Sequence, residues 1–447
     1  MPPIIALIIC LIIIAFLLWV ERKQNSNISF AIWIPTIWML ISASRPLGRW
    51  PWFSPPGTNI EEGSPIDRLV LGTFIFISIF FIFKRKVNYL SILKNNTALI
   101  ILLMFAGLSI LWSDFPFLSF KRWIKLLGTI PIAIIVLSEK TPLETMESIF
   151  RKCAYILIPL SVILIKYYPH LGRAYGRWSG LEMWTGVTIT KNSLGWLCAF
   201  SAFFFVWSYL KNKKNETFFR NDLIKICDLL VFLIAIYLLK GSGAAYSATS
   251  ISIFIVGLIF LFILYKKPLS AQNISKFLFF GTILIWVILT FSESFSATLT
   301  SLLNRDETFT GRREMWVMLI REGARHPILG TGYGGYFGTP GNEFTEAFGG
   351  YWSHNGLLSV YVELGIVGII LILMFHLEYY KRFKSIIITN FDWGIFGICF
   401  LTMSMLCNYT ENIFLNSQTY YWNIMIFLMI LFSIKNIYKD IRSKDLV

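Results

Sequence analysis

Apolar residues in this chain come in long unbroken runs rather than in the narrow stripes of a water-soluble fold. The first, residues 6–20, reads ALIICLIIIAFLLWV. A helix needs about 20 apolar residues to cross hydrocarbon, roughly 17–25 being usual, and its backbone polar groups must then bond within the segment. Thirteen runs approach or reach that length, near 3–20, 29–43, 68–83, 97–112, 122–138, 153–168, 190–209, 224–240, 245–265, 277–291, 356–376, 392–409 and 419–435. Several are short, so twelve to fourteen spans are expected. Barrel strands would alternate apolar and polar residues, and these runs do not. The expected fold is an all-α polytopic integral membrane protein. The first run lacks a basic start and a small-residue cleavage site, which reads as a retained anchor.

Charge supplies an orientation. With the N-terminus outside and the loops assigned alternately, 24 of the 40 basic residues fall on the inner side, as the positive-inside rule requires. The net charge of +15 is then mostly topology, and no nucleic acid is expected as a partner. Composition agrees: 15% of the 447 residues are charged, against about 25% in soluble domains. The six cysteines form no CxxC pair and read as small core hydrophobes. The outer loops (44–67, 113–121, 169–189, 292–355 and 410–418) hold most of the unusual polar residues, so chemistry is expected at the outer face. The chain divides into an N-terminal bundle over 1–291, a long outer loop over 292–355 and C-terminal helices over 356–447.

Within the long loop, RDETFTGRREMWVMLIREGARHP (305–327) predicts a helix capped by Gly311 and stopped near Arg325 by Pro327. Met315, Trp316, Leu319 and Ile320 give it an apolar stripe, which predicts an interfacial helix lying on the membrane. Arg312 and Arg313 occupy its first turn, where the helix dipole disfavours cations unless an anion such as a phosphate binds there. A basic amphipathic helix touching lipid headgroups fits the same residues. The segment GTGYGGYFGTPG follows, and Tyr333 within it is a candidate sugar-stacking ring on a flexible lid, or else part of a plain turn-rich loop. His354 then stands at the start of a helix, where the dipole favours a neutral imidazole able to accept a proton; a capping role is the plain alternative. Elsewhere the outer side offers Arg173, Arg177 and Lys191 around 169–195, Arg45 before residue 50, and Glu411 in the last outer loop. The acidic pairs Glu61/Glu62 and Asp306/Glu307 read as solvated loops, so neither a metal nor a cofactor is expected.

The ordered set Gly176-Arg177, Thr310-Gly311-Arg312-Arg313 with Trp316, His326-Pro327 through Phe337, and Ser353 through Gly368 resembles the O-antigen ligase and O-antigen polymerase superfamily of bacterial envelopes. The stretches SRPLGRW, EGSPIDR, LSILWSDFP, IPLSVILIKYYPHLGR and TGVTITKNSLG are similar to its exopolysaccharide-production members. The O-antigen ligase-related region is expected over about 170–435. The resemblance implies two arginines and one histidine near an undecaprenyl diphosphate donor. By motif position these are Arg177, with Arg173 close by as the other candidate, Arg312 and His354. Relatives often carry histidine before the Lys-Asn pair, where this chain has Thr190.

The implied activity is a glycosyltransferase reaction with inversion and without a metal, in which a saccharide on a polyprenyl diphosphate is passed to an acceptor hydroxyl. Expected partners are the undecaprenyl-diphosphate-linked glycan donor, a glycan or lipid-linked acceptor, the bilayer and other polysaccharide assembly proteins. The implied location is the bacterial inner membrane, with the site facing the periplasm. Polymerisation is the favoured reading, ligation of glycan to a lipid A core the alternative. A transporter is the rival from another class, to which Glu363 inside a predicted helix is a pointer.

Overall fold

The computed structural model describes residues 1–53, 64–85, 87–176, 180–213, 222–243, 245–291, 312–339, 341–348 and 353–434. The chain forms helices α1 (Pro3–Gln24), α2 (Trp33–Ser42), α3 (Pro65–Lys84), α4 (Thr97–Leu108), α5 (Pro116–Leu137), α6 (Pro142–Tyr167), α7 (Lys191–Lys213), α8 (Asp222–Leu239), α9 (Ala248–Lys266), α10 (Ala271–Phe291), α11 (Arg312–Arg325), α12 (Gly356–Thr389), α13 (Phe391–Thr410) and α14 (Tyr420–Leu431), joined by loops and single turns. One short antiparallel hairpin, β1 (Arg173–Tyr175) and β2 (Glu182–Trp184), interrupts them. Each of the thirteen apolar runs falls on a helix. Among the described residues, α1, α3, α6, α7, α9, α12 and α13 are the seven long and apolar enough to cross a membrane. These seven are single described helices that suffice by themselves in length and composition. The segments Phe30–Ser42, Thr97–Trp112 and Tyr420–Leu431 are apolar but shorter; α5 and α8 carry charges such as Lys121, Lys125, Lys225 and Asp228.

Burial separates a centre from a periphery. Helices α6, α7, α13 and α14 are enclosed on most sides, and their large side chains interlock, as where Trp207 meets Trp393 and Phe396 with ring centroids 4.9 and 4.7 Å apart. Helices α1, α3 and α8 instead leave whole apolar faces exposed, including Ile12, Phe76 and Leu230, as lipid-facing helices do. One end of the bundle is stitched by ion pairs between helices: Arg85–Glu139 at 2.7 Å, Arg151–Asp228 at 3.0 Å, Lys152–Glu21 and Lys211–Glu147. These basic residues are among those that the charge pattern assigns to the inner side.

The opposite end is closed by loops that bond to one another. Arg45 is buried there and donates to the carbonyls of Leu171, Gly186 and Thr188 at 2.5, 2.9 and 3.0 Å. A break in α12 organises the rest. Gly365 adopts φ +63 inside the helix, a left-handed conformation that costs other residues about 1–3 kcal/mol. The break frees backbone groups, and residues 327–332 take them. Ile366 N donates to Pro327 O and Thr331 N to Val362 O, both at 2.9 Å, and Gly332 N donates to Glu363 O at 2.9 Å. A Cβ at Gly365 would sit 2.2 Å from the Ile328 carbonyl oxygen.

Gly365→Ala should therefore lower the thermal unfolding temperature of the detergent-purified protein by several degrees. Gly72→Ala, on the open face of α3 with no atom within 4 Å of a built Cβ, should leave it unchanged. Equal melting curves for the two would show that the break is not a structural requirement.

Candidate active site

The N-terminal leg of α12 begins at a specified point. Asn355 caps it, its Oδ1 accepting from Leu358 N at 3.2 Å. Ser353 holds the preceding turn: its Oγ accepts from the Asn355 amide at 2.9 Å and donates to the Asn355 carbonyl at 2.6 Å. Between them His354 adopts φ +52, a conformation that few residues other than glycine adopt. The turn and cap therefore fix the direction of the imidazole. Gly356 allows α13 to approach, because a Cβ there would lie 1.9 Å from Asn408 Oδ1. The same Asn408 oxygen accepts from the amides of Ile413 and Phe414 at 2.9 and 3.1 Å, fixing the loop after α13.

That loop begins with Glu411, whose carboxylate is the meeting point. His354 Nδ1 lies 3.1 Å from Oε2, and Asn192 Nδ2 donates to Oε1 at 2.5 Å. Arg312 Nη2 stands 3.5 Å from Oε1, an ion pair too long for a good hydrogen bond, while its Nη1 donates to the Thr410 carbonyl at 2.9 Å. Glu411 is 6% exposed. Burial alone would raise its pKa; the His354 charge and hydrogen bond, Arg312 and Asn192 oppose that and hold the carboxyl below its ordinary range. The His354 side chain is 35% exposed, so the imidazole borders open space.

Helix α11 brings Arg312 to this point. It spans Arg312–Arg325, as the sequence predicts. Its apolar stripe is used differently from the expectation of a helix resting on lipid. Leu319 is fully buried in a cluster with Tyr336, Phe337, Phe344 and Val362, and Trp316 Nε1 donates to Ser353 O at 2.9 Å, while Ile320 stays exposed. Protein covers Leu319 completely and Met315 and Trp316 in part. Trp316 thereby ties the Arg312 helix to the His354 turn.

The other candidates are placed elsewhere. Tyr333 is buried, its hydroxyl donating to Leu415 O at 2.7 Å and its amide to Ser109 Oγ at 2.8 Å. It is an internal brace, not an open stacking ring, because the glycine-rich segment is drawn inward by Arg122, which donates to the Gly334 and Phe337 carbonyls. Arg45 spends its donors on loop carbonyls, as above, and is not among the residues around Glu411. Arg173 donates to Ile165 O and pairs with Glu182, both at 2.7 Å. Lys191 opens α7 one residue before Asn192, and Thr190 caps that helix by accepting from Ser193 N at 3.1 Å. Arg177, the Arg313 side chain and the pairs Glu61/Glu62 and Asp306/Glu307 lie outside the described residues. Asn192 and Trp316 as members of the cluster were not foreseen; only the Lys-Asn pair and the spacing of Trp316 from Arg312 hinted at them.

Comparison with known proteins bears on the same region. Residues 229–373 match the family model described as O-antigen ligase. Over that stretch the chain is similar to the O-antigen ligase family. The stretch contains Arg312 and His354; Asn192 and Glu411 lie outside it. A protein of Rickettsia felis named polysaccharide ligase is 28% identical over 199 residues, 41% of this chain and 46% of that protein. Its namesake in Rickettsia conorii is 27% identical with the same coverage. The exopolysaccharide production protein ExoQ of Rhizobium meliloti is 23% identical over 303 residues, 64% of this chain and 66% of that protein. The chain thus spans about half the length of the Rickettsia proteins it matches.

Glu411→Gln should destabilise the fold in a pH-dependent way. A carboxyl held below its ordinary pKa stabilises the folded state above the unfolded value, and that contribution is lost as pH falls through the lowered folded value. Thermal unfolding at pH 7 should find Glu411→Gln less stable than the wild type. The gap should close below about pH 4, near and under the ordinary carboxylate range. A gap that stays constant from pH 7 to pH 3 would show that the charge of Glu411 is not what the neighbours hold.

Proposed function

We propose that the protein transfers a glycan from a polyprenyl diphosphate carrier to an acceptor hydroxyl, at the outer face of the bacterial inner membrane, and so extends a lipid-linked polysaccharide. The observation that carries this reading is the contact of His354, Arg312 and Asn192 around one buried carboxylate. With Nδ1–H donating to Glu411, the imidazole is held in the tautomer that leaves Nε2 as the proton acceptor. The acceptor hydroxyl attacks the anomeric carbon and gives its proton to Nε2. The bond from that carbon to the diphosphate oxygen breaks, and the electron pair leaves with the diphosphate, whose growing charge the Arg312 guanidinium stabilises. One displacement inverts the anomeric carbon. A diphosphate leaves readily, so the paired carboxylates of glycosidases are not required. Glu411 is a positioning residue here. Arg177 is proposed as a second diphosphate contact from its motif position alone.

The names of the relatives, polysaccharide ligase and exopolysaccharide production protein, support both a ligase and a polymerase reading. The motifs of the N-terminal half favour polymerisation. Product analysis separates them: longer lipid-linked glycans mark a polymerase, and glycan on a lipid A core marks a ligase.

His354→Ala should abolish polymer in cells at normal protein level, since a general base contributes about 10²- to 10⁴-fold. His354→Gln, which keeps a hydrogen bond but cannot take the proton, should be nearly as inactive. Polymer from His354→Gln cells would assign the base elsewhere.

Arg312→Lys should lose most activity, because an ammonium does not reproduce a guanidinium fork. Arg325→Lys should lose little, since Arg325 is exposed at the far end of α11 and pairs locally with Glu322 at 2.7 Å. Equal activity in the two variants would favour a headgroup-contact role for α11.

Activity should also survive a chelator of divalent ions. Loss restored by magnesium or manganese would overturn the metal-free mechanism.

A further inference from the structure

At the same end of the bundle, a cleft of about 300 Å³ opens between the β1–β2 hairpin and the end of α8. Glu182, Trp184, Tyr237, Lys240 and Ser242 line it, with Gly241 and Gly243. Strand register pairs Arg173 with Trp184 and Tyr175 with Glu182, so these four side chains leave one face of the hairpin. The face is preorganised. Arg173 Nη1 donates to Glu182 Oε2 at 2.7 Å and Trp184 Nε1 to Glu182 Oε1 at 3.3 Å. The Trp184 ring meets that of Tyr237 at 48°, with centroids 5.4 Å apart. The Ser242 hydroxyl donates to the Glu182 carbonyl, which docks the 241–243 turn against the hairpin. Gly241 and Gly243 both adopt positive φ in that turn.

Interfacial aromatic residues are common at membrane boundaries, and Tyr237 does continue an exposed apolar line along α8 through Leu223, Ile226, Leu230 and Leu233. Rings that merely anchor a helix have no need of an oriented carboxylate, a hydroxyl and an exposed ammonium beside them. Apolar ring faces flanked by fixed hydrogen-bonding groups match a sugar, which presents C–H faces and a rim of hydroxyls. The position at the top of a lipid-facing line means that such a sugar arrives from the membrane plane, on a lipid. The hairpin also leads directly to the reacting centre, because Asn192, the donor to Glu411, follows Trp184 by eight residues. We propose that this cleft is a saccharide subsite that holds the glycan of a lipid-borne substrate beside the His354–Arg312 centre, an inference that rests on the glycosyl-transfer reading above.

The test is saturation-transfer NMR on the full-length protein in detergent, with oligosaccharides released by partial acid hydrolysis of the source cells' own surface polysaccharide. Wild type and His354→Ala should both bind. Trp184→Ala and Tyr237→Ala should weaken binding at least tenfold, and Trp184→Phe, which keeps a ring, should retain most of it. Should Trp184→Ala fail to accumulate, Tyr237→Ala carries the test, since Tyr237 is 53% exposed and its loss leaves the core intact. Binding equal in all variants, absent from the wild type, or displaced as well by glycerol phosphate as by the oligosaccharide would overturn the subsite. The two readings fail separately. Polymer lost in His354→Ala cells together with Trp184-independent binding rejects the subsite and leaves glycosyl transfer standing. Trp184-dependent binding in a protein that releases no polyprenyl diphosphate from a defined lipid-linked oligosaccharide donor rejects glycosyl transfer and leaves a saccharide cleft.

Discussion

Burying a carboxylate without partners costs several kcal/mol, and the loop end of this bundle is arranged so that Glu411 never lacks them. Three elements far apart in sequence reach the same two oxygens: the start of α7 through Asn192, the start of α11 through Arg312, and the turn before α12 through His354. The arrangement serves the imidazole as much as the carboxylate. A partner on Nδ1 fixes the orientation of a ring whose side chain is 35% exposed. The guanidinium that helps neutralise Glu411 stands on the same carboxylate. Removing the carboxylate would loosen all three elements at once.

The break at Gly365 is the second constraint, and it explains why Arg312 and His354 hold a fixed relation. Interrupted helices within a membrane are tolerated where other parts of the protein satisfy the freed backbone groups. Here residues 327–332, just after α11, do so, and Trp316 closes the same unit by bonding to Ser353. The N-terminal leg of α12, helix α11 and the glycine-rich segment therefore form one packed body around Leu319, Val362 and Phe337. A transporter would be expected to keep such a break open to its cargo near the bilayer midplane. In this chain the protein fills it with its own backbone.

Much of the fold was legible because hydrocarbon imposes a strict rule on sequence: long apolar runs become helices, and all thirteen runs did. Helix α11 was legible from its stripe and from Pro327. What its stripe packs against was not, because an apolar face reads the same whether lipid or protein covers it. Tyr333 and Arg45 show the same limit for polar groups. Each looked free in an outer loop, yet Leu415 and the carbonyls of 171–188 take their donors, and no spacing rule reports a bond across 82 or 126 residues. Glu411 was a visible outer carboxylate, but its pairing with His354 and Asn192 spans 57 and 219 positions. The resemblance to O-antigen ligases singled out Arg312 and His354 by motif; only the three-dimensional arrangement shows that one carboxylate joins them.

The most direct measurement is reconstitution of the purified protein in liposomes with a chemically defined polyprenyl-diphosphate oligosaccharide as donor and acceptor, following both glycan length and free polyprenyl diphosphate. The account predicts that each added unit releases one polyprenyl diphosphate and that the new linkage has the inverted anomeric configuration. Glycan extension with retained configuration, or an intact donor moved across the bilayer with no diphosphate released, would contradict it.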